Sequence, residues 1–519
     1  MPVASVWGFA LVGIDAVPVR VEAHARNGLP GVTIVGLPGA AVREARERVR
    51  SGAASSGLPL PTRRITINLS PGDVPKEGSG FDLPVALATL AACGYLPPEM
   101  VRGIGAVGEV SLDGLVRPSR GMVSIAEAAG KVGAGLLVTP VEGLSAALEV
   151  SGIPVVGVRS LAEALQVVKD PAFRERAMER GSRWLRYRRD SEEPSTMGED
   201  LDLRQVAGHL QAKRALEIAA AGSHHLLMVG SPGAGKTMLA RRLPGILPPL
   251  SRDEAIDVTR VWSAVGLHVP PTGLVKQRPF RAPHHTASRA ALVGGGMLLR
   301  PGEVSLAHRG VLFLDEFPEF SRDALEALRQ PLEEGKVIIS RRIGASEFPA
   351  ACTLVGAMNP CPCGYLGHPS KPCRCSAAAI ERYRARVSGP LLDRIDALIE
   401  VPPVTPSALE DGSAGEPSAA VRKRVEAARE FRQARGERSA QRVSGSRDGR
   451  VEGRDQFSGS ARSLLHQALL RDALSGRGYV RVVRLARTIA DLDGAEKITV
   501  DHVAEALSLR LDYRRLAFV

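Results

Sequence analysis

Gly230-Ser231-Pro232-Gly233-Ala234-Gly235-Lys236-Thr237 reads G-x-x-x-x-G-K-T and directly follows the apolar run Leu226-Leu227-Met228-Val229. A buried strand ending in a glycine-rich loop, followed by a helix, is the context a phosphate-binding loop requires. Glycines let successive backbone N–H groups turn inward around a phosphate, and the helix N-terminus adds partial positive charge. Gly230, Ser231, Pro232, Gly233, Ala234 and Gly235 are expected to form the cradle, Lys236 to reach the β- and γ-phosphates of ATP, and Thr237 to hold Mg2+. Outward from this loop, Gly310-Val311-Leu312-Phe313-Leu314-Asp315-Glu316 offers a second buried strand with two carboxylates at its C-terminal end. Ligands sit at that end of the strands in an open α/β sheet. Asp315 is expected to anchor the Mg2+ through water and Glu316 to polarise the attacking water.

A chain of 519 residues has room for about two to four domains. Hydrophobic residues make up 44 % and aromatic residues 4 %, so aliphatic packing should dominate the cores. The net charge of +12 and sequence pI near 9.7 favour acidic partners, nucleic acid first. No apolar run reaches the ~18–20 residues of a membrane span, and nothing resembles a signal peptide, so a cytoplasmic location is expected. Six cysteines then read as thiols or metal ligands before disulfides.

The front of the chain alternates strands and helices. Val19–Ala23, a turn at 27–31 and Val32–Val35 read as a hairpin. Residues 40–55 predict a helix with Val42, Ala45 and Val49 on one face, 65–69 a strand, and 82–92 a second helix. Phe173 to Arg189 carries seven arginines with Trp184 and Tyr187 among them. Either a solvated linker helix or a nucleic-acid arm fits that composition; the diluting Glu175 and Glu179 favour the linker. Leu203 to Ala221 predicts a helix pair leading into the phosphate loop. A third apolar strand, Thr353–Met358, ends at Asn359. Cys361-x-Cys363 and Cys373-x-Cys375 flank a loop rich in Gly and Pro, a spacing that fits a closed tetrahedral Zn2+ site. His284 and His285 have no third local ligand, which argues against metal there. Cys93 and Cys352 are expected in cores. Helices are expected at 418–435, 461–474, 480–492 and 500–509, after a linker at 402–417; an arginine-rich loop is expected at 436–458.

The linked motifs resemble the AAA+ superfamily, within it the magnesium-chelatase-like branch, and within that branch the ComM (YifB) family. The stretches that carry this are Phe280-Arg281-Ala282-Pro283-His284-His285-Thr286-Ala287-Ser288, Met358-Asn359-Pro360-Cys361-Pro362-Cys363-Gly364, and Ser388-Gly389-Pro390-Leu391-Leu392-Asp393-Arg394-Ile395-Asp396. The resemblance implies that Val206 and Gly208 contact adenine and that Asn359 is the sensor between γ-phosphate and water. It also implies that Arg394 is an arginine finger acting on the neighbouring subunit and Arg477 a second sensor. A hairpin at 337–349, with Gly344 near its tip, would face a central pore, so that Arg341 and Arg342 either touch DNA or lie on a solvated hairpin. Pro75-Lys76-Glu77-Gly78 and Gly108 to Gly114 resemble the proteolytic domain of Lon-type proteases. The serine position of that family falls on Gly80 or Phe81 and the lysine position near Val123, so no catalytic dyad is expected; Ser79 lacks an evident lysine.

The expectation is therefore an α/β multidomain chain. Residues 1–168 would form a Lon-protease-like α+β domain (ribosomal S5 domain 2-like), 169–200 a basic linker, 201–402 an AAA+ P-loop core with a cysteine-rich insertion, and 403–519 a helical lid. The resemblance implies a hexameric motor on DNA, driving branch migration in recombination and natural transformation, with recombination proteins as further partners. A chelatase-type motor subunit acting on a protein partner is the alternative, and an ATP-dependent protease is disfavoured.

Overall fold

The structure, a computed structural model, describes residues 3–191, 201–296, 299–341, 344–404, 415–436, 456–470 and 476–510. Two compact units emerge, one drawn from Met1–Pro194, Ser251–Lys276 and Leu298–Arg300, the other from Ser195–Leu250, Gln277–Met297 and Pro301–Val519.

The first unit is built on seven strands: β1 (Ala4–Val12), β2 (Asp15–Arg26), β3 (Gly31–Val35), β4 (Arg64–Ser70), β5 (Ile104–Ala106), β6 (Leu136–Pro140) and β7 (Val155–Val158). They lie in the order β3-β4-β2-β1-β5-β6-β7. Alternation drives the packing: Val19, Val21, Ala23 and Ala25 of β2 and Ile65, Ile67 and Leu69 of β4 are all buried. Each of the buried Val, Ile and Leu side chains contributes about 1.5–3 kcal/mol, and the alanines less. The helix Ala40–Ser55 buries Val42, Ala45 and Val49 as its periodicity predicts, and Asp82–Ala92 is buried on every side.

The hairpin expected at 19–35 is not formed. β2 pairs instead with β1 and with β4, both antiparallel, and β3 joins the far edge of β4 in parallel through the helix Ala40–Ser55. β4 buries every second residue, whereas β3 has no buried residue, so the more apolar strand takes the interior position.

In the interval read as a basic linker, Pro171–Ser191 is one helix. Ala177 is buried in the first unit's core, with Phe173 and Met178 packed against it. Arg176 and Arg180 lie over the Phe173 ring, at 5.9 and 5.5 Å from its centroid. Ser251–Lys276, inside the interval read as the motor, also folds into this unit. Its helix Arg252–Val265 presents Ser263, whose Oγ accepts from the Met122 N–H at 2.9 Å, and Arg260, which pairs with Glu127 at 2.6 Å. Ile256 and Val269 pack against the cluster of Met122, Val123 and Leu144.

The second unit has five parallel strands: β8 (Leu226–Val229), β9 (Phe280–Arg281), β10 (Val311–Leu314), β11 (Thr353–Met358) and β12 (Ala397–Glu400). Their order is β9-β10-β11-β8-β12. β8, β10 and β11 are buried at every position, the signature of a parallel sheet covered on both faces. The helix pair expected before β8 is a single helix, Leu210–Gly222, preceded by a short turn at Leu203–Gln205. Left-handed backbone at Gly208 and His209 separates the two.

Helices Ser418–Ala434, Gly459–Leu470, Gly476–Leu492 and Val500–Ser508 complete this unit's core. Arg477 thus lies inside a helix rather than ahead of it. The strands Lys336–Arg341 and Gly344–Pro349 pair as the expected hairpin, with Arg341 opposite Gly344. Arg342 lies outside the described residues, as do 405–414 of the expected linker and most of 436–458. Among the described residues, no helix is long and apolar enough to cross a membrane.

Candidate functional site

The strand order decides what meets. β11 lies between β8 and β10, so Asn359 leaves the sheet between the phosphate loop and the carboxylates of Asp315 and Glu316. Gly235 holds φ at 83°, a left-handed conformation that glycine adopts at low cost, and the helix Lys236–Ala240 begins immediately after it. The Lys236 ammonium donates to the carbonyls of Gly230 at 2.6 Å and Ser231 at 2.9 Å, and to Asn359 Oδ1 at 3.3 Å. Burial lowers its pKa, and the Asp315 charge opposes the shift.

The Thr237 hydroxyl donates to Asp315 Oδ2 at 2.7 Å, and the Asp315 carboxylate accepts the Glu316 N–H at 2.9 Å. A hydroxyl and a carboxylate in contact are the hard oxygen donors that Mg2+ takes. Glu316 is exposed and holds φ at 51°. Its Oε2 lies 2.9 Å from His285 Nδ1, on the segment that follows β9. His284 Nδ1 lies 2.9 Å from the Thr286 hydroxyl, and the His284 and His285 ring centroids are 4.1 Å apart. The residue-type pattern carried no sign of the His285–Glu316 contact, because the partners are brought together only by the pairing of β9 with β10.

Val206 is fully buried, and Gly208 has φ at 61°. Beside them, a Cβ built on Gly235 would lie 3.5 Å from His209 Nε2, which is buried without a hydrogen-bond partner. His209 therefore belongs to this corner, although its sequence context did not mark it.

Arg394 is only 9 % exposed at its side chain and pairs with Glu333 at 2.6 Å, while also donating to the Pro390 carbonyl at 2.7 Å. Arg477 is 66 % exposed and lies 3.7 Å from Asp393. Arg481 and Arg484 both turn to Asp396, at 2.7 and 3.5 Å. Burial alone would raise the Asp396 pKa; the His224 ring 3.5 Å away and the charges of Arg484 and Arg481 hold it well below the usual carboxylate range. These two arginines thus fasten the helix Gly476–Leu492 to the sheet.

Cys361, Cys363, Cys373 and Cys375 bring their sulfurs within 4.8 Å of one another. Cys361 Sγ is 3.4 Å from Cys363 Sγ and 3.6 Å from Cys373 Sγ, and Cys363 and Cys373 are 3.6 Å apart. Such a cluster can hold a metal. All six cysteines are free; Cys93 is half-buried and packs against the first unit's core, and burial pushes the Cys352 thiol up to about 12.

In the first unit, the Ser79 hydroxyl donates to Glu109, and Lys76 is fully buried with its ammonium on the Pro71 carbonyl. Val123, where the protease lysine would stand, is a buried core residue.

The fold and site define a class, and three family descriptions match it. "Magnesium chelatase, subunit ChlI" covers residues 202–409, "Subunit ChlI of Mg-chelatase" 21–143, and "Magnesium chelatase, subunit ChlI C-terminal" 415–510. This is a magnesium-chelatase-like AAA+ protein. It is 43 % identical to "Uncharacterized protein YifB" of Salmonella typhimurium over 98 % of this chain and 97 % of that protein. It is 42 % identical to "Competence protein ComM" of Haemophilus influenzae over 99 % of both. The chain belongs to the ComM/YifB family. A shorter match, 32 % identical over 142 residues, links 26 % of the chain to 18 % of the Lon protease of Mycolicibacterium smegmatis.

Proposed function

We propose that this chain is an ATP-hydrolysing ring motor acting on DNA in the cytoplasm, a hexameric helicase that drives branch migration in homologous recombination and natural transformation. One observation carries the hydrolytic part: Lys236, Thr237, Asp315, Glu316 and Asn359 converge at the C-terminal ends of three adjacent parallel strands. The loop Gly230–Thr237 cradles the phosphates, with Lys236 exchanging its carbonyl partners for phosphate oxygens. Thr237 and Asp315 would hold Mg2+, which when bound would neutralise charge at the phosphate oxygens. Glu316 takes the proton of the attacking water, and Asn359 orients that water against the γ-phosphate.

Val206 and Gly208 line the adenine side. Arg394 completes a neighbour's site, for which it must leave Glu333; Arg477 is the lid arginine free enough to act as a sensor. The net charge of +12 and the competence protein among the relatives support DNA as the partner. Recombination proteins are the further partners the reading implies. The front region, 1–168, is a Lon-protease-like fold without peptidase activity: Gly80 or Phe81 stands at the serine position and Val123 near the lysine position, and the Ser79 hydroxyl donates to Glu109. The four cysteines hold a structural Zn2+.

The test is branch migration on a synthetic four-way junction with ATP, with a non-hydrolysable analogue, and with Lys236→Ala. Movement with ATP alone is expected; movement with the analogue would contradict a hydrolysis-driven motor. A second reading, a chelatase-type motor that remodels a protein partner, is favoured by the family descriptions. It predicts ATP hydrolysis that DNA does not stimulate.

A further inference from the structure

The cysteine loop is anchored at a revealing place. Cys361 follows Asn359 by two residues and is fully buried. Gly364 holds φ at 83°, and a Cβ built on it would lie 2.5 Å from Pro232 Cδ of the phosphate loop and 3.7 Å from Asn359 Cγ. The loop between the cysteine pairs thus touches both the phosphate loop and the proposed sensor, and Asn359 in turn is 3.3 Å from the Lys236 ammonium.

Little else gives this loop a shape. Residues 361–376 contain neither helix nor strand, and Gly367, Pro369, Ser370, Lys371, Pro372 and Arg374 are exposed. Apart from the contact of Gly364, it is held by short-range turn bonds, with the N–H groups of Ser370 and Lys371 donating to His368 Nδ1 at 3.1 Å, by a Tyr365–His368 edge contact and by Lys371 over the Tyr365 ring. A turn-rich loop without a core does not hold sub-ångström positions against its conformational entropy. The sulfurs do provide a fixed point. Four thiolates around a tetrahedral Zn2+ with bonds of about 2.3 Å place sulfur atoms about 3.8 Å apart. Among Cys361, Cys363 and Cys373 the separations, 3.4, 3.6 and 3.6 Å, are close to that edge, and Cys375 Sγ lies within 4.8 Å of all three. With four sulfur ligands no coordination position is left for substrate, so such a metal is structural.

We infer that one Zn2+ bound by Cys361, Cys363, Cys373 and Cys375 sets the position of Asn359 and Pro232, which makes the metal loop part of the ATP-hydrolysing site. This rests on the ATPase reading above and adds a positioning role to it. Loss of the metal releases Gly364 from Pro232 and leaves Asn359 on an unanchored chain. Lys236 and the strand β8 stay in place, because a Cβ on Gly230 would lie 2.3 Å from the Val401 carbonyl, a close backbone contact independent of the metal. Turnover should therefore suffer more than nucleotide binding.

Three measurements on the full chain test this. Elemental analysis is expected to find about one zinc per chain. Replacement by Co2+ is expected to give the intense visible and near-ultraviolet bands of a tetrahedral thiolate site. The variant Cys363→Ser/Cys373→Ser is expected to lose the metal, and kcat is expected to fall about tenfold or more while the affinity for a fluorescent ATP analogue changes less than about threefold. Gly364→Ala guards against a simple folding defect: it should keep the zinc and the cobalt spectrum yet lose a similar share of kcat, because its methyl displaces Pro232.

A folded wild-type chain without metal overturns the site. A metal-free variant or Gly364→Ala with unchanged kcat overturns the positioning role. If the wild-type chain binds zinc but hydrolyses no ATP, the ATPase reading fails and the positioning role with it, while the metal site stands.

Discussion

Each unit buries a lysine, and the two have different company. Lys76 in the first unit is 0 % exposed, and its ammonium meets the Pro71 carbonyl; burial lowers its pKa and Asp73 opposes the shift. Lys236 in the second unit is 8 % exposed, with burial and Asp315 acting in the same opposed way. Only Lys236 stands among groups from three strands: the Asn359 amide, the Thr237 hydroxyl and the Asp315 carboxylate. Burying an ammonium is costly in either place, so the cost alone does not mark a site. Convergence of groups with complementary chemistry does.

The contrast is easiest to break at the lysines themselves. Lys236→Ala is expected to lower ATP turnover at least about a hundredfold, whereas Lys76→Met should leave it within about twofold; steady-state phosphate release measures both. An equal loss from the two would mean that the first unit also serves the chemistry. Glu316→Gln comes next. It should lower kcat by about a hundredfold or more while an equilibrium titration with an ATP analogue shows binding retained.

Acid should separate the units by stability. His225 Nδ1 accepts the Leu354 N–H at 3.1 Å and His308 Nδ1 accepts the Ala351 N–H at 3.0 Å, bonds that only neutral rings can make. Burial pushes His225 down to about 4 and His308 to about 3. Both folded values lie below the unfolded value, so their stabilisation is full above about pH 6.5 and is lost as pH falls toward the folded values. Between pH 6.5 and 5 each should cost the second unit about 1–2 kcal/mol. All three tryptophans, Trp7, Trp184 and Trp262, belong to the first unit. Denaturation followed by tryptophan fluorescence should therefore move less with acid than the same transition followed by far-ultraviolet circular dichroism. His285→Ala is the smallest effect expected, a fall in kcat of about three- to tenfold from a less well-oriented Glu316. A kcat unchanged by this substitution would leave the His285–Glu316 contact without a role in turnover.

The candidate site was legible where chemistry is written in contiguous residues. Gly230–Thr237, Asp315-Glu316, Asn359 and the four cysteines each follow or end an apolar strand, and three parallel neighbours bring their ends together. What could not be read depends on which strand pairs with which. The local pattern at 19–35 supports a hairpin, yet β4 occupies the place beside β2 because it has more to bury. Glu333 as partner of Arg394, and His285 as partner of Glu316, come from elements distant in sequence whose meeting no local periodicity announces. The helix Arg252–Val265 is amphipathic in either unit, so its own residues do not say whose core it completes.

That helix also sets a timetable. The cluster of Met122, Val123 and Leu144 gains Ile256 and Val269 only after the ribosome has added more than a hundred further residues. By then β8 and the phosphate loop have already been synthesised. The region around Met122 to Leu144 must thus wait for residues made much later, and a nascent chain stalled near residue 200 would present an uncovered apolar face to chaperones and proteases.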